Sequence, residues 1–133
     1  MTQEQKELLL KDLCARLPYG VKVIGTYDTN CCSVVNTIEG IFYNNYISID
    51  GCNFDISNIK LYLFPLSSMT KEQKKELEKL YWNCDNYEIS NNIEYVYHND
   101  CFMLIDWFSK NHIDYRGLIQ MGLAIDATNK NIY

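Results

Sequence analysis

A chain of 133 residues that is 47% hydrophobic and 14% aromatic is too apolar to be disordered and has the size of one self-sufficient domain, which we take as residues 1–133. The formal net charge is −5, with four acids and no Lys or Arg between Val23 and Ile59, and five acids and none between Leu80 and Ser109. A duplex-binding face needs clustered Lys and Arg to displace counterions, so nucleic acid is not an expected partner. No apolar run approaches the ~20 residues of a membrane span. The opening MTQEQKELLL lacks a basic leader and cleavage site, so a cytoplasmic location is expected.

The first predicted element is a helix. Thr2 and Gln5 form a capping box, Leu9, Leu13 and Leu17 recur as an apolar stripe, and Pro18-Tyr19-Gly20 ends it. From Val21 to Ile59 the period changes. VKVIGTY, SVVNTIEGIFY, YISID and NFDIS are short and rich in β-branched and aromatic residues, with turn residues at 28–30, 44–45 and 50–51. Val21, Val23 and Gly25 share one face. Gly40 marks a bend or bulge. This pattern predicts an antiparallel β-meander or a small curled barrel covered by a helix.

Ile59 to Leu66 reads as an extended crossover ending at Pro65. Thr70 and Gln73 make a second capping box for a helix to about Trp82, with Leu77, Leu80 and Tyr81 as its apolar edge. Ile93 to Tyr97 alternates weakly, as a short strand would. CFMLIDWF, residues 101–108, is apolar except for Asp106, so this helix is expected to bury Phe102, Leu104 or Ile105, Trp107 and Phe108. Asn111 is its expected left-handed terminator. Asp114 then caps a short last helix through Tyr115, Leu118, Ile119 and Met121, closed by Gly122, and residues 123–125 add a strand. The fold class is therefore α+β: an N-terminal helix, the meander or small barrel, then two or three C-terminal helices.

The six cysteines include no CxxC pair, and vicinal Cys31-Cys32 suits a tetrahedral zinc site poorly. The spacing of His98 and Cys101 could supply two ligands, but reduced, unliganded thiols are the simpler reading; no metal, cofactor or catalytic residue is assigned. Trp107, His112, Tyr115 and Arg116 form the one cluster resembling a site, and we take them as candidate binding residues. His112, Asp114 and Arg116 could support an enzyme or a ligand-binding corner, with imidazole, orienting carboxylate and anion-holding guanidinium. The simpler reading has Asp114 capping, Arg116 paired with a carboxylate and His112 in an exposed corner.

Three stretches carry a resemblance: residues 11–21 (KDLCARLPYGV), 63–70 (LFPLSSMT), and 106–108 with 111–119 and 122–124 (DWF, NHIDYRGLI, GLA). With them the chain resembles a family of uncharacterised small proteins from phages and mobile elements of anaerobic gut bacteria. The resemblance brings no activity and no catalytic residues. It implies a phage accessory protein acting in the cytoplasm of a bacterial host cell. The residues themselves, a Tyr-rich acidic sheet and the Trp107, His112, Tyr115 and Arg116 corner, point to a small binding or interaction module, which in that setting is expected to modulate a host or defence protein. The expected partner is a protein or a small molecule. A structural virion component is a third possibility.

Overall fold

The computed structural model describes residues 1–26, 33–42, 46–82 and 102–133. Helix α1 (Gln3–Arg16) starts at the predicted capping box: Gln5 N donates to Thr2 Oγ1 at 3.2 Å, and Thr2 N donates to Gln5 Oε1 at 2.9 Å. Its Leu9 and Leu13 are fully buried. The chain leaves α1 through a single 3-10 turn containing Pro18 and ends it at Gly20, in the left-handed region with φ 64°.

Five strands follow: β1 (Lys22–Thr26), β2 (Ser33–Phe42), β3 (Tyr46–Ile49), β4 (Cys52–Asp55) and β5 (Ile59–Pro65). The first four form the expected antiparallel meander, and β5 returns antiparallel to β1. Asp50 and Gly51, at φ 51° and 72°, make the tight β3–β4 turn. The register shifts between Ile38 and Gly40, so the predicted irregularity bulges out Glu39. Its carboxylate accepts from Ser48 Oγ and Gly51 N, both at 2.9 Å.

Two later strands, β6 (Ile113–Asp114) and β7 (Ala124–Asp126), pair with β5 in parallel. Residues 59–65 are thus an interior strand and not a bare crossover, and the sheet is mixed. The strand order is β4-β3-β2-β1-β5-β6, with β7 beside β5 as well. The sheet curls strongly but stays open, with no barrel closure. Gly25 shows the curl: a Cβ there would lie 2.8 Å from the ring of Phe54, which reaches across from edge strand β4.

Helix α2 (Lys71–Trp82) starts at the second predicted box, with Gln73 N to Thr70 Oγ1 at 3.1 Å and Thr70 N to Gln73 Oε1 at 2.9 Å. Leu77 is buried and Leu80 packs beside it; the side chain of Tyr81 lies outside the described residues. Helix α3 (Phe102–Lys110) completes the set. The expected strand at 93–97, the His98/Cys101 pair, Cys31, Cys32 and Cys84, and the turns at 28–30 and 44–45 also lie outside the described residues. The described cysteines, Cys14 and Cys52, are free.

Two expectations about the last third are corrected. Phe102 is 83% exposed and Trp107 only half-buried, while Leu104 and Phe108 are buried. Helix α3 is thus one-sided, although its composition is apolar almost all round. The predicted helix after Asp114 is a chain of turns, because Gly117 takes positive φ, 73°; Gly122, at φ 74°, is left-handed as its expected closing role requires. A left-handed residue within the first turn cannot continue a right-handed helix. The left-handed residue after α3 is His112, φ 54°, and not Asn111.

The apolar interior has two parts. One lies between α1 and the inner face of the sheet, around Leu9, Leu13, Ile47, Ile49, Phe54 and Leu61. The other lies among α2, α3 and the segment after β6, around Met69, Leu77, Leu104, Phe108, Ile113 and Tyr115.

Candidate functional site

A buried polar cluster joins α1 to Tyr115 and Arg116 at the seam between these two cores. Asp12 and Arg16 are four apart on α1, on the same side as Leu9 and Leu13, and both are fully buried. Arg16 Nε donates to Asp12 Oδ2 at 2.6 Å, and Nη2 donates to Oδ1 at 3.3 Å. The same guanidinium reaches Ile113 O at 2.8 Å through Nη2 and Phe108 O at 3.4 Å through Nη1. Phe108 O is one of the last carbonyls of α3, where the helix dipole favours a cation. One side chain therefore ties α1 to the end of α3 and to β6.

Arg116 closes the cluster from the other side. Its Nε donates to Asp12 Oδ1 at 3.1 Å, so Asp12 serves two guanidinium groups. Both arginines also lie over the ring of Tyr115, at 5.4 Å for Arg16 and 4.7 Å for Arg116, and that ring stacks on Phe108 at 5.2 Å. Burial, and then the Asp12 charge, hold the Tyr115 phenol above its ordinary pKa. Its hydroxyl is enclosed, beside Arg116 but without good hydrogen-bond geometry.

Asp114 is buried, and both carboxylate oxygens are taken. Oδ1 accepts from Leu118 N and Oδ2 from Ile119 N, each at 2.8 Å. It caps a turn, as expected in kind, with its donors four and five residues along the chain. It makes no bond to His112.

His112 is half-buried rather than in an exposed corner. Its ring stacks on Tyr133 with centroids 4.1 Å apart and planes 13° apart. Its Nδ1 is buried with no hydrogen-bond partner. Burial and the nearby Arg16 charge push its pKa down to about 4, so the imidazole is neutral near pH 7. Trp107 stands at the far side of α3, edge-on to Phe108 at 5.4 Å, and its indole N–H donates to Glu76 Oε2 at 3.2 Å.

The four sequence candidates thus do not converge on one pocket. Tyr115 and Arg116 belong to the buried seam, His112 belongs to the Tyr133 stack, and Trp107 braces α3 against α2. Sequence reasoning missed Asp12 and Arg16, although their spacing within an apolar stripe was a readable signal. It also missed Tyr133.

A different place is open. Between α1 and α3 lies a shallow, mostly apolar hollow of about 390 Å³, lined by Ala15, Phe102, Met103, Ile105, Asp106 and Ser109. Phe102 is 83% and Met103 47% exposed at its lip, and Leu17 is exposed near the end of α1. Asp106 is held there by the Tyr19 hydroxyl, which donates a hydrogen bond to it. That carboxylate is the first cause raising the pKa of the Tyr19 phenol.

Among the described residues no group of three or more His, Cys, Asp or Glu is placed to hold a metal ion, and no helix is long and apolar enough to cross a membrane. No family model, curated protein or solved structure matches the chain.

Proposed function

We propose that the chain is a protein-interaction module that docks apolar side chains of a partner into the hollow between α1 and α3. The observation that carries this reading is the pair Phe102 and Met103. Both are large and apolar, stand exposed at the lip of a concave, largely apolar surface, and are not needed to fill either core. Exposed apolar patches with a polar rim are the usual mark of an interaction surface, and Met adapts to different partners. The resemblance to phage and mobile-element proteins suggests the setting: an accessory protein in the cytoplasm of a bacterial host, acting on a host or defence protein.

The alternative enzyme reading needs His112, Asp114 and Arg116 to work together. In the fold they are engaged in three separate contacts, with Tyr133, with the Leu118 and Ile119 amides, and with Asp12. Binding is the better-supported class. Replacing Met103 with a photo-reactive residue should cross-link a host protein from bacterial lysate, while the same group in place of Val35, exposed on the sheet, should not. Equal labelling from both positions would overturn the assignment of the surface.

A further inference from the structure

Tyr133 occupies a slot that has a partner for each part of a phenol. The ring lies flat against His112 at 4.1 Å and 13°, and meets Phe64 at 5.7 Å and 45°. The hydroxyl donates to Tyr62 O at 2.7 Å and accepts from Lys22 N at 3.0 Å. Those two backbone groups belong to neighbouring strands. Strand β1 pairs with β5 from Val23 to Gly25, so Lys22 lies one residue beyond the paired stretch. The phenol oxygen bridges the two strands where their own ladder has ended. A donor and an acceptor at this spacing, under two flanking rings, select a ring that carries a hydroxyl.

The rest of the segment is held at its beginning. Ala127 N donates to Leu63 O at 2.8 Å, and Lys130 N closes a turn on Ala127 O at 3.1 Å. Beyond Lys130, the Tyr133 side chain ties the segment to the sheet, and Ile132 is part-buried. Tyr133 as a whole residue is 44% exposed, while its hydroxyl sits between the two strands.

We propose that this slot is a recognition site for a phenolic ring, occupied in cis by Tyr133, and that residues 128–133 form a strap anchored at Ala127 and latched to the sheet at Tyr133. Release of the strap presents His112, Phe64 and the Lys22/Tyr62 backbone pair to a tyrosine side chain or small phenol from elsewhere. The site stands apart from the hollow between α1 and α3, and neither reading depends on the other.

The test is amide hydrogen exchange on wild-type protein and on Tyr133→Ala, with p-cresol and toluene as probes. In Tyr133→Ala the Lys22 amide should exchange about tenfold faster, as one lost hydrogen bond implies. Amides of the sheet core, such as Leu61, should be unchanged. Millimolar p-cresol should restore Lys22 protection, and toluene, which lacks the hydroxyl, should not. Tyr133→Phe, which keeps the ring, should also speed exchange at Lys22 while leaving the His112 ring shifts in place; this variant carries the test if Tyr133→Ala does not fold. Unchanged Lys22 exchange in Tyr133→Phe would overturn the proposal. So would failure of p-cresol to act on folded Tyr133→Ala, or an equal effect of toluene.

Discussion

At the scale of single residues, Asp12 and Arg16 carry more structure than any other polar pair described. Both are fully buried, and a buried pair costs desolvation that only good geometry offsets. Here the offset comes from four Arg16 contacts and from Arg116 on the same carboxylate. Removing one partner leaves an uncompensated buried charge. Asp12→Asn should therefore lower the unfolding free energy by about 3–5 kcal/mol in urea titration. A change below 1 kcal/mol would mean the pair is not buried as described.

Asp114 gives a second residue-scale prediction. A cap using one oxygen tolerates Asn, but Asp114 uses both, one for Leu118 N and one for Ile119 N. An amide group would set its NH₂ against one of those donors. Asp114→Asn should cost about 1–3 kcal/mol, and not be silent as a simple cap would be.

His112 is the pH-sensitive residue. Its native pKa, about 4, lies below the ordinary 6.5. Below pH 6.5 the unfolded chain binds the proton and the native chain does not, so stability is full above pH 6.5 and is lost as pH falls toward 4. Carboxylates titrate in the same range, so the measurement is a difference. Between pH 6.5 and 4 the stability of wild type should fall more steeply than that of His112→Asn, a variant whose side chain accepts the left-handed backbone at φ 54°. Parallel slopes would contradict the burial of His112.

At the scale of elements, local chemistry was legible and long-range placement was not. Both capping boxes, the Pro18–Gly20 stop and the Asp50-Gly51 turn appear as read, because each depends on residues a few positions apart. Helix α3 misled because an apolar residue does not by itself say which way its position faces: Leu104 and Phe108 point into the core and Phe102 does not. The helix expected after Asp114 failed on Gly117, whose freedom at positive φ a sequence cannot announce. Strand β5 was recognised as extended, but its parallel partners β6 and β7 come from more than forty-five residues later in the chain. Gly25 carries the element-scale prediction. Gly25→Ala would drive a Cβ to 2.8 Å from Phe54 and should cost about 1–3 kcal/mol. Phe54→Leu in the same chain should recover part of that loss if the close approach is its cause.

At the scale of the whole molecule, the residues that looked like chemistry and the surface that looks like recognition have separated. Tyr115 and Arg116 help join two apolar cores, through contacts with α1 that are a hundred residues away in sequence, so their role could not be read from their own neighbourhood. The hollow between α1 and α3 is lined by other side chains, and the exposed Phe102 and Met103 at its lip are the residues we propose to meet a partner. Stability and recognition should therefore respond to different substitutions. The most direct measurement pairs a urea midpoint with retention of the cross-linked host partner for two variants. Arg116→Met should lower the midpoint while leaving partner retention per folded molecule unchanged. Phe102→Ser should leave the midpoint unchanged and abolish retention. The opposite pattern, with retention lost in folded Arg116→Met and kept in Phe102→Ser, would contradict the account.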